Sequence, residues 1–345
     1  MALFKSFGEI PSGTRQGIIE KSSNYHNGVF QNSSPTLLMA ENSSMLNNFW
    51  KFLKKPAYTA PSSVLPSIKT DLKSLSFAGP VIIWFGHSSY FIRINDINIL
   101  VDPVFSGNAS PFTFGVKSFP GSDVYSVDDF PDIDILLLTH DHYDHLDSRT
   151  VLQLKPKVKQ VCASLGVGSH LVYWGFDENI ITELDWWESK RFPAAIELTA
   201  APARHFSGRS LNRNKTLWSS FVLNAPGYRL YLGGDSGYDS HFKLIGEKFG
   251  LFDIAILECG QYNLQWPQIH MMPEETVQAS IDLKAKFLFP VHWSKFSLAL
   301  HPWSEPAARV SAKAKELNVK ITTPMIGEPV VLNQYYPGKQ WWVGL

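Results

Sequence analysis

Residues 136–147 read "LLLTHDHYDHLD", an apolar run that ends in three histidines and three aspartates within eight positions. Imidazoles and carboxylates do not gather at the end of a buried strand for packing reasons alone. His140 and His142, two apart, can aim at one point, and Asp144 and His145 at a neighbouring one. Imidazole nitrogen and carboxylate oxygen both bind Zn²⁺ at ~2.0–2.2 Å. A catalytic zinc takes three protein ligands and keeps one position open. Four candidate ligands in one loop therefore imply two incomplete sites.

The remaining ligands are expected where other apolar strands end. "ELTAAPARH" ends in His205, "YRLYLGGD" in Asp235 and "KFLFPVH" in His292. Gly233 and Gly234, just before Asp235, let backbones approach closely there. These three complete two sites, with one carboxylate left to bridge. His87, in "FGHSS", is expected beside the site or in a structural role, and His301 in a structural or pocket-lining one. His26, His170 and His241 are expected on the surface or in the core.

The bulk composition narrows the function. Of 345 residues, 44% are hydrophobic and 18% charged, and Lys+Arg and Asp+Glu both number 31. Zero net charge argues against nucleic acid as a partner, since phosphate backbones call for a basic face. The two cysteines, Cys162 and Cys259, make neither a disulfide framework nor a Cys-x-x-Cys zinc site. They read as buried thiols of a reducing compartment. "MALFKSFGEIPSGTRQ" lacks the apolar core of a secretory signal, and no run approaches the ~20 apolar residues of a membrane span. The expectation is a cytoplasmic protein whose membrane contact, if any, is peripheral.

Residues 1–78 are rich in Asn, Ser, Pro and Gly and show little periodicity, so they read as an extended arm wrapping a main domain of residues 79–345. Within the arm, "SMLNNFWKFLKK" (44–55) is a candidate helix. From Val81 onward, "VIIWFG", "SYFIRIN" and "INILVD" predict a β-meander. "DILLLT" predicts a fully buried strand, and "SRTVLQLK" a helix capped by Asp147 or Ser148. "APGY" (225–228) predicts a type II turn between antiparallel strands. Helices are predicted near 239–248, 273–284 and 304–316, with sheets inside and helices outside.

The ligand order His-x-His-x-Asp-His…His…Asp…His over residues 79–345 resembles the metallo-β-lactamase superfamily of binuclear hydrolases. That resemblance implies an α/β, four-layer αβ/βα sandwich with the metals at one edge. It implies His140, His142 and His205 on one metal, Asp144, His145 and His292 on the other, and Asp235 between them. Two divalent ions follow, zinc in the first instance; manganese or iron accept the same donors. "WFGHSSYFI", "LVDPVFS", "SGRSLNRNKTLW", "HMMPEE" and "PVHWSKFSLALHPW" further resemble the branch containing N-acyl-phosphatidylethanolamine-hydrolysing phospholipase D and its bacterial relatives. In that branch a Tyr within the first motif and a His ahead of a "PEE" helix meet substrate. Tyr143 and His270 stand at those positions.

The resulting expectation is a phosphodiesterase acting on a small-molecule or lipid phosphodiester through a metal-bridging hydroxide. Asp144 and His270 are its candidate catalytic residues, and Tyr143 and His270 its substrate contacts. A lactonase or carboxylic-ester hydrolase is the alternative. A diiron oxidoreductase is a further one, although such members carry Glu where this chain has His142.

Overall fold

The computed structural model describes residues 5–40, 54–112, 115–209 and 212–345. The candidate helix at 44–55 lies almost wholly outside the described residues.

In the arm, helix α1 (Gly13–Ile19) is followed by a hairpin of β1 (Tyr25–His26) and β2 (Val29–Phe30). The sequence reading expected neither. The hairpin turns on Asn27 and Gly28, at φ of +53° and +78°, the pair of left-handed residues that a two-residue type I′ turn requires. The arm folds against other segments through Ile19 and Phe30, which are buried with Leu165, Leu217 and Trp218.

The meander follows as β3 (Val81–Trp84), β4 (Tyr90–Ile94) and β5 (Ile97–Val101). Next come β6 (Ile133–Leu138), helix α2 (Ser148–Leu154), β7 (Val158–Ser164), helix α3 (Gly168–Tyr173) and β8 (Ile181–Leu184). Asp147 caps α2 by accepting from the Arg149 N–H. The chain continues through β9 (Ser189–Phe192), β10 (Ile196–Ala201), β11 (Ser220–Ala225) and β12 (Tyr228–Leu232). Gly227, at φ +81°, takes the third position of the turn between β11 and β12. Helix α4 (His241–Phe249), β13 (Ile254–Glu258), α5 (Pro273–Asp282), β14 (Leu288–Val291), α6 (Glu305–Glu316) and β15 (Pro329–Val331) complete the chain.

Two large sheets result. One has the order β15-β3-β4-β5-β6-β7-β8, the other β14-β13-β12-β11-β10-β9. β6 lies between parallel neighbours β5 and β7 and is covered on both faces, which is why it reads as an unbroken apolar run. Ile135 and Leu137 face the second sheet, within the large core. Leu136 and Leu138 face outward onto Val151 and Leu154 of α2 and Leu171 of α3. On the far side of the second sheet, Val277 of α5 and Val310 of α6 join the large core. The architecture is the αβ/βα sandwich.

Strand direction places the chemistry. β3, β5 and β6 run the same way in the first sheet, and β10, β12, β13 and β14 in the second. After the last residues of these strands come His87, Asp102, His140–His145, His205, Asp235 and His292, and Glu258 itself ends β13.

Candidate metal centre

These strand ends bring seven sequence-predicted residues into two adjoining groups that share one edge of the sandwich. In the first, single ligand atoms of His140, His142, His205 and Asp235 all lie within 4.8 Å of one another; in the second, those of His87, Asp144, His145 and His292 do. His140 Nε2 is 3.0 Å from His142 Nδ1, and His205 Nε2 is 3.2 Å from the same atom. Nitrogens around a tetrahedral zinc stand ~3.3 Å apart, given bonds of ~2.0–2.1 Å. Asp235 Oδ2 is 3.8 Å from His140 Nε2, 3.7 Å from His205 Nε2 and 3.1 Å from His145 Nε2, so it reaches both groups. Gly233 allows this approach: a Cβ there would sit 2.6 Å from the Ile256 carbonyl oxygen. At Gly234, φ +60°, a Cβ would sit 3.0 Å from the Thr139 Cβ.

The donor set fits divalent ions. The Nε2 atom of His292 is buried without a hydrogen-bond partner, a condition that costs free energy unless something else satisfies it. His145 Nε2 is buried beside the Asp235 carboxylate, and the carboxylates around it outweigh burial and raise its pKa. Burial and the neighbouring imidazoles hold His140 and His292 well below the ordinary histidine range. Burial also lowers His205, against the pull of Asp235. Neutral rings keep the lone pairs that metals need. Burial would raise Asp235, but His145 and the imidazoles around it hold its pKa to about 2.

Hydrogen bonds behind the rings turn the right atoms inward. His145 Nδ1 is 2.8 Å from Asp102 Oδ2, which leaves Nε2 for the centre. Thr139 Oγ1 donates to Asp102 Oδ2 at 2.5 Å and lies 3.0 Å from His140 Nδ1. His205 Nδ1 donates to the Ile269 carbonyl at 3.0 Å. From the arm, Asn32 brackets the His205 backbone, donating to its C=O at 2.8 Å and accepting from its N–H at 3.0 Å. His292 differs: its Nδ1 lies 2.8 Å from Ser88 Oγ and also 3.1 Å from Asp235 Oδ1.

His87 is buried, with Nε2 2.8 Å from Asp144 Oδ2 and its ring 3.9 Å from that of His292. His301 accepts from the Gln261 N–H at 2.9 Å. His26 is exposed, while His241 and His170 are buried; His170 Nε2 lies 3.2 Å from Asp141 Oδ2. Tyr143 donates to the Arg209 carbonyl, and its ring lies 4.2 Å below that guanidinium. Substrate contact by this hydroxyl would need that bond to open. Arg209 in turn donates to the carbonyls of Asp141 and Leu146, at 2.7 and 2.6 Å, and so braces the ligand loop.

His270 sits across the cleft, its ring 5.1 Å from both His205 and His292. Its Nδ1 is 2.8 Å from Glu258 Oε2. Burial lowers His270, but Glu258 and the nearby aspartates outweigh it and raise the pKa. A cavity of about 300 Å³ opens at His270, lined by Leu38, Met39, Phe206, Trp266, Ile269 and Leu298, with Arg213 and Gln261 as polar members.

Asp102 and Glu258 escaped the sequence reading, although both close buried strands as the predicted ligands do. A rule applied to every polar residue at the end of a buried run would have found them.

Comparison with known proteins places this geometry. Residues 97–293 match the family model described as the beta-lactamase superfamily domain. An uncharacterized protein of Mycobacterium tuberculosis (strain ATCC 25618 / H37Rv) is 36% identical over 320 residues, 91% of this chain and 86% of that one. The N-acyl-phosphatidylethanolamine-hydrolyzing phospholipase D 1 of Caenorhabditis elegans is 32% identical over 241 residues, 65% of this chain and 66% of that one. Among solved structures, the isothiocyanate hydrolase from Delia radicum gut bacteria superposes with a TM-score of 0.59 at 18% identity, covering 74% of this chain and all of that one. At that identity the last likeness speaks for the fold alone. With its two facing sheets and histidine-rich edge, the chain belongs to the metallo-β-lactamase superfamily, as a metal-dependent hydrolase related to N-acyl-phosphatidylethanolamine-hydrolysing phospholipase D.

Proposed function

We propose that the protein is a phosphodiesterase that cleaves an acylated phospholipid of the N-acyl-phosphatidylethanolamine kind with two divalent ions, zinc in the first instance. In this reading His140, His142 and His205 hold one ion, Asp144, His145 and His292 the other, and Asp235 lies between. Such a pair supplies Lewis acidity and lowers the pKa of a water towards neutrality. Asp144 and Asp235 bring two negative charges to the four positive ones, and the surplus favours an anionic phosphodiester. Asp144, held by His87 and flanked by His145, keeps its carboxylate aimed at the reacting group. His270 faces the same cleft and meets a phosphate oxygen or hands a proton to the departing alkoxide.

One observation carries the lipid: the mainly apolar cavity of about 300 Å³ that opens at His270. It has the size of a small-ligand pocket, and its walls suit an acyl chain joined to an anionic centre. The likeness to the C. elegans phospholipase supports the same substrate class.

The test compares three substrates with purified, metal-replete protein: bis(p-nitrophenyl) phosphate, N-acyl-phosphatidylethanolamine in detergent micelles, and a panel of lactones and sugar-phosphate lactones. Phosphatidic acid and N-acylethanolamine are the expected lipid products. Lactones turning over ~100-fold faster by kcat/KM, a gap of ~2.7 kcal/mol, would replace this reading with a lactonase.

A further inference from the structure

We propose that Glu258 is the positioning residue of His270: its carboxylate fixes the imidazole with hydrogen on Nδ1 and Nε2 presented to the cleft. The inference rests on the assignment of His270 to the reaction site made above. Glu258 closes β13 and is fully buried. Burial raises Glu258 to about 7 against the pull of His270; above that pH it is a carboxylate, which accepts at both oxygens and has nothing to donate. Oε1 accepts from the N–H groups of Ser236 and Met271, each at 3.1 Å. Oε2 lies 2.8 Å from His270 Nδ1. Two backbone donors occupy one oxygen, so the remaining neighbour, Nδ1, must donate to the other.

The loop that carries His270 is tied down through the same residue. The Glu258 carbonyl accepts from Thr276 Oγ1 at 2.8 Å, in the first turn of α5. Glu275 closes the start of that helix, its carboxylate accepting from the Met272 N–H at 2.9 Å. Residues 259–272 thus leave β13 and return to its last side chain. His270 Nε2 has no hydrogen-bond partner among the described residues, while its ring lines the cavity. Glu258 therefore decides which nitrogen a substrate meets, without itself touching substrate.

Glu258→Gln tests this. Its amide keeps the volume but offers one accepting oxygen and one donating nitrogen, so with the oxygen on the backbone pair it turns a donor towards His270 Nδ1 and can no longer accept from it. The expected result is unchanged metal content, a kcat lower by about 10–100-fold, as for partners that orient working histidines, and KM nearly unchanged. Glu258→Asp keeps an acceptor and should recover part of the loss. Glu258→Gln combined with His270→Ala should be no slower than His270→Ala alone, because both act through one ring. Long-range ¹⁵N–¹H spectra of histidine-labelled protein add a readout free of activity: His270 Nδ1 should carry hydrogen in the wild type, and that Nδ1–H should be lost or shifted in Glu258→Gln. Wild-type hydrogen found only on Nε2 overturns the proposal even if the variant fails to fold. Loss of metal in Glu258→Gln, additive losses in the double variant, or an unaltered His270 spectrum overturns it as well. Wild-type turnover in His270→Ala with the spectral change present would sink the proposed function and leave the Glu258 assignment standing.

Discussion

Thr139 Oγ1 stands between Asp102 and His140, while His145 meets the same carboxylate directly. One buried side chain so orients two candidate ligand rings, each through its Nδ1. The Thr139 N–H donates to Asp102 Oδ1 at 2.9 Å, which uses the remaining oxygen. Asp102→Asn cannot reproduce this pattern, since its NH₂ must face a group that already donates. We expect metal affinity to fall about 10–100-fold, the usual cost of losing a partner behind a ligating histidine, measured by competition with a chromogenic chelator. Unchanged affinity would show that the strand ends alone hold the rings. At this scale the sequence was legible where residue type and spacing carry chemistry. His140, His142, Asp144, His145, His205, Asp235 and His292 stand together because imidazoles and carboxylates after apolar runs have few other reasons to be there. Asp102 and Glu258 were hidden because a lone carboxylate at a strand end also fits an ordinary turn.

The elements explain why ligands over 150 positions apart meet. β6, β10, β12 and β14 all deliver their C-terminal ends to one edge, and the apolar runs "VIIWFG", "SYFIRIN" and "INILVD", split by polar turns, foretold the meander that starts the first sheet. Less legible was the arm, whose Asn-, Ser- and Pro-rich composition carries no periodic signal. Beside the apolar anchors Ile19 and Phe30 it is held by single hydrogen bonds, which composition does not reveal. Asn32 accepts from both the His205 N–H and Trp218 Nε1 and donates to the His205 carbonyl. Asn32→Ala should leave a buried N–H and C=O unpaired and cost about 1–3 kcal/mol. The backbone of one candidate ligand would loosen and the other six candidates stay put. The expected signature in dialysed protein is a partial loss, close to one metal per chain, with the second retained. Full retention of metal and stability would make the arm a covering and not a support.

For the whole molecule, the balance of 31 basic and 31 acidic residues hides an uneven distribution. Carboxylates and imidazoles are concentrated in the interior at one edge, where burial sets their protonation. His241, at the start of α4, shows the consequence away from the ligand groups. It is buried, its Nε2 lies 3.2 Å from Ser236 Oγ, and burial lowers its pKa from 6.5 to about 3. Above pH 6.5 the ring is neutral in both folded and unfolded chains, so it adds no pH dependence. Between pH 6.5 and 3 the unfolded chain takes up a proton that the folded chain refuses. Stability is therefore lost as pH falls through that window, by up to ~1.4 kcal/mol per unit from this ring. His241→Gln keeps a hydrogen-bonding side chain but cannot titrate. In chelator-treated protein, urea unfolding at pH 8, 7, 6 and 5 should show the wild type losing stability faster below pH 6.5 than the variant, with the two curves parallel above it. Comparing the pair cancels the contribution of the other buried histidines, which titrate in both. Parallel curves across the whole range would mean that His241 opens to solvent before it protonates, and that the acid sensitivity of this fold belongs to the metal edge alone.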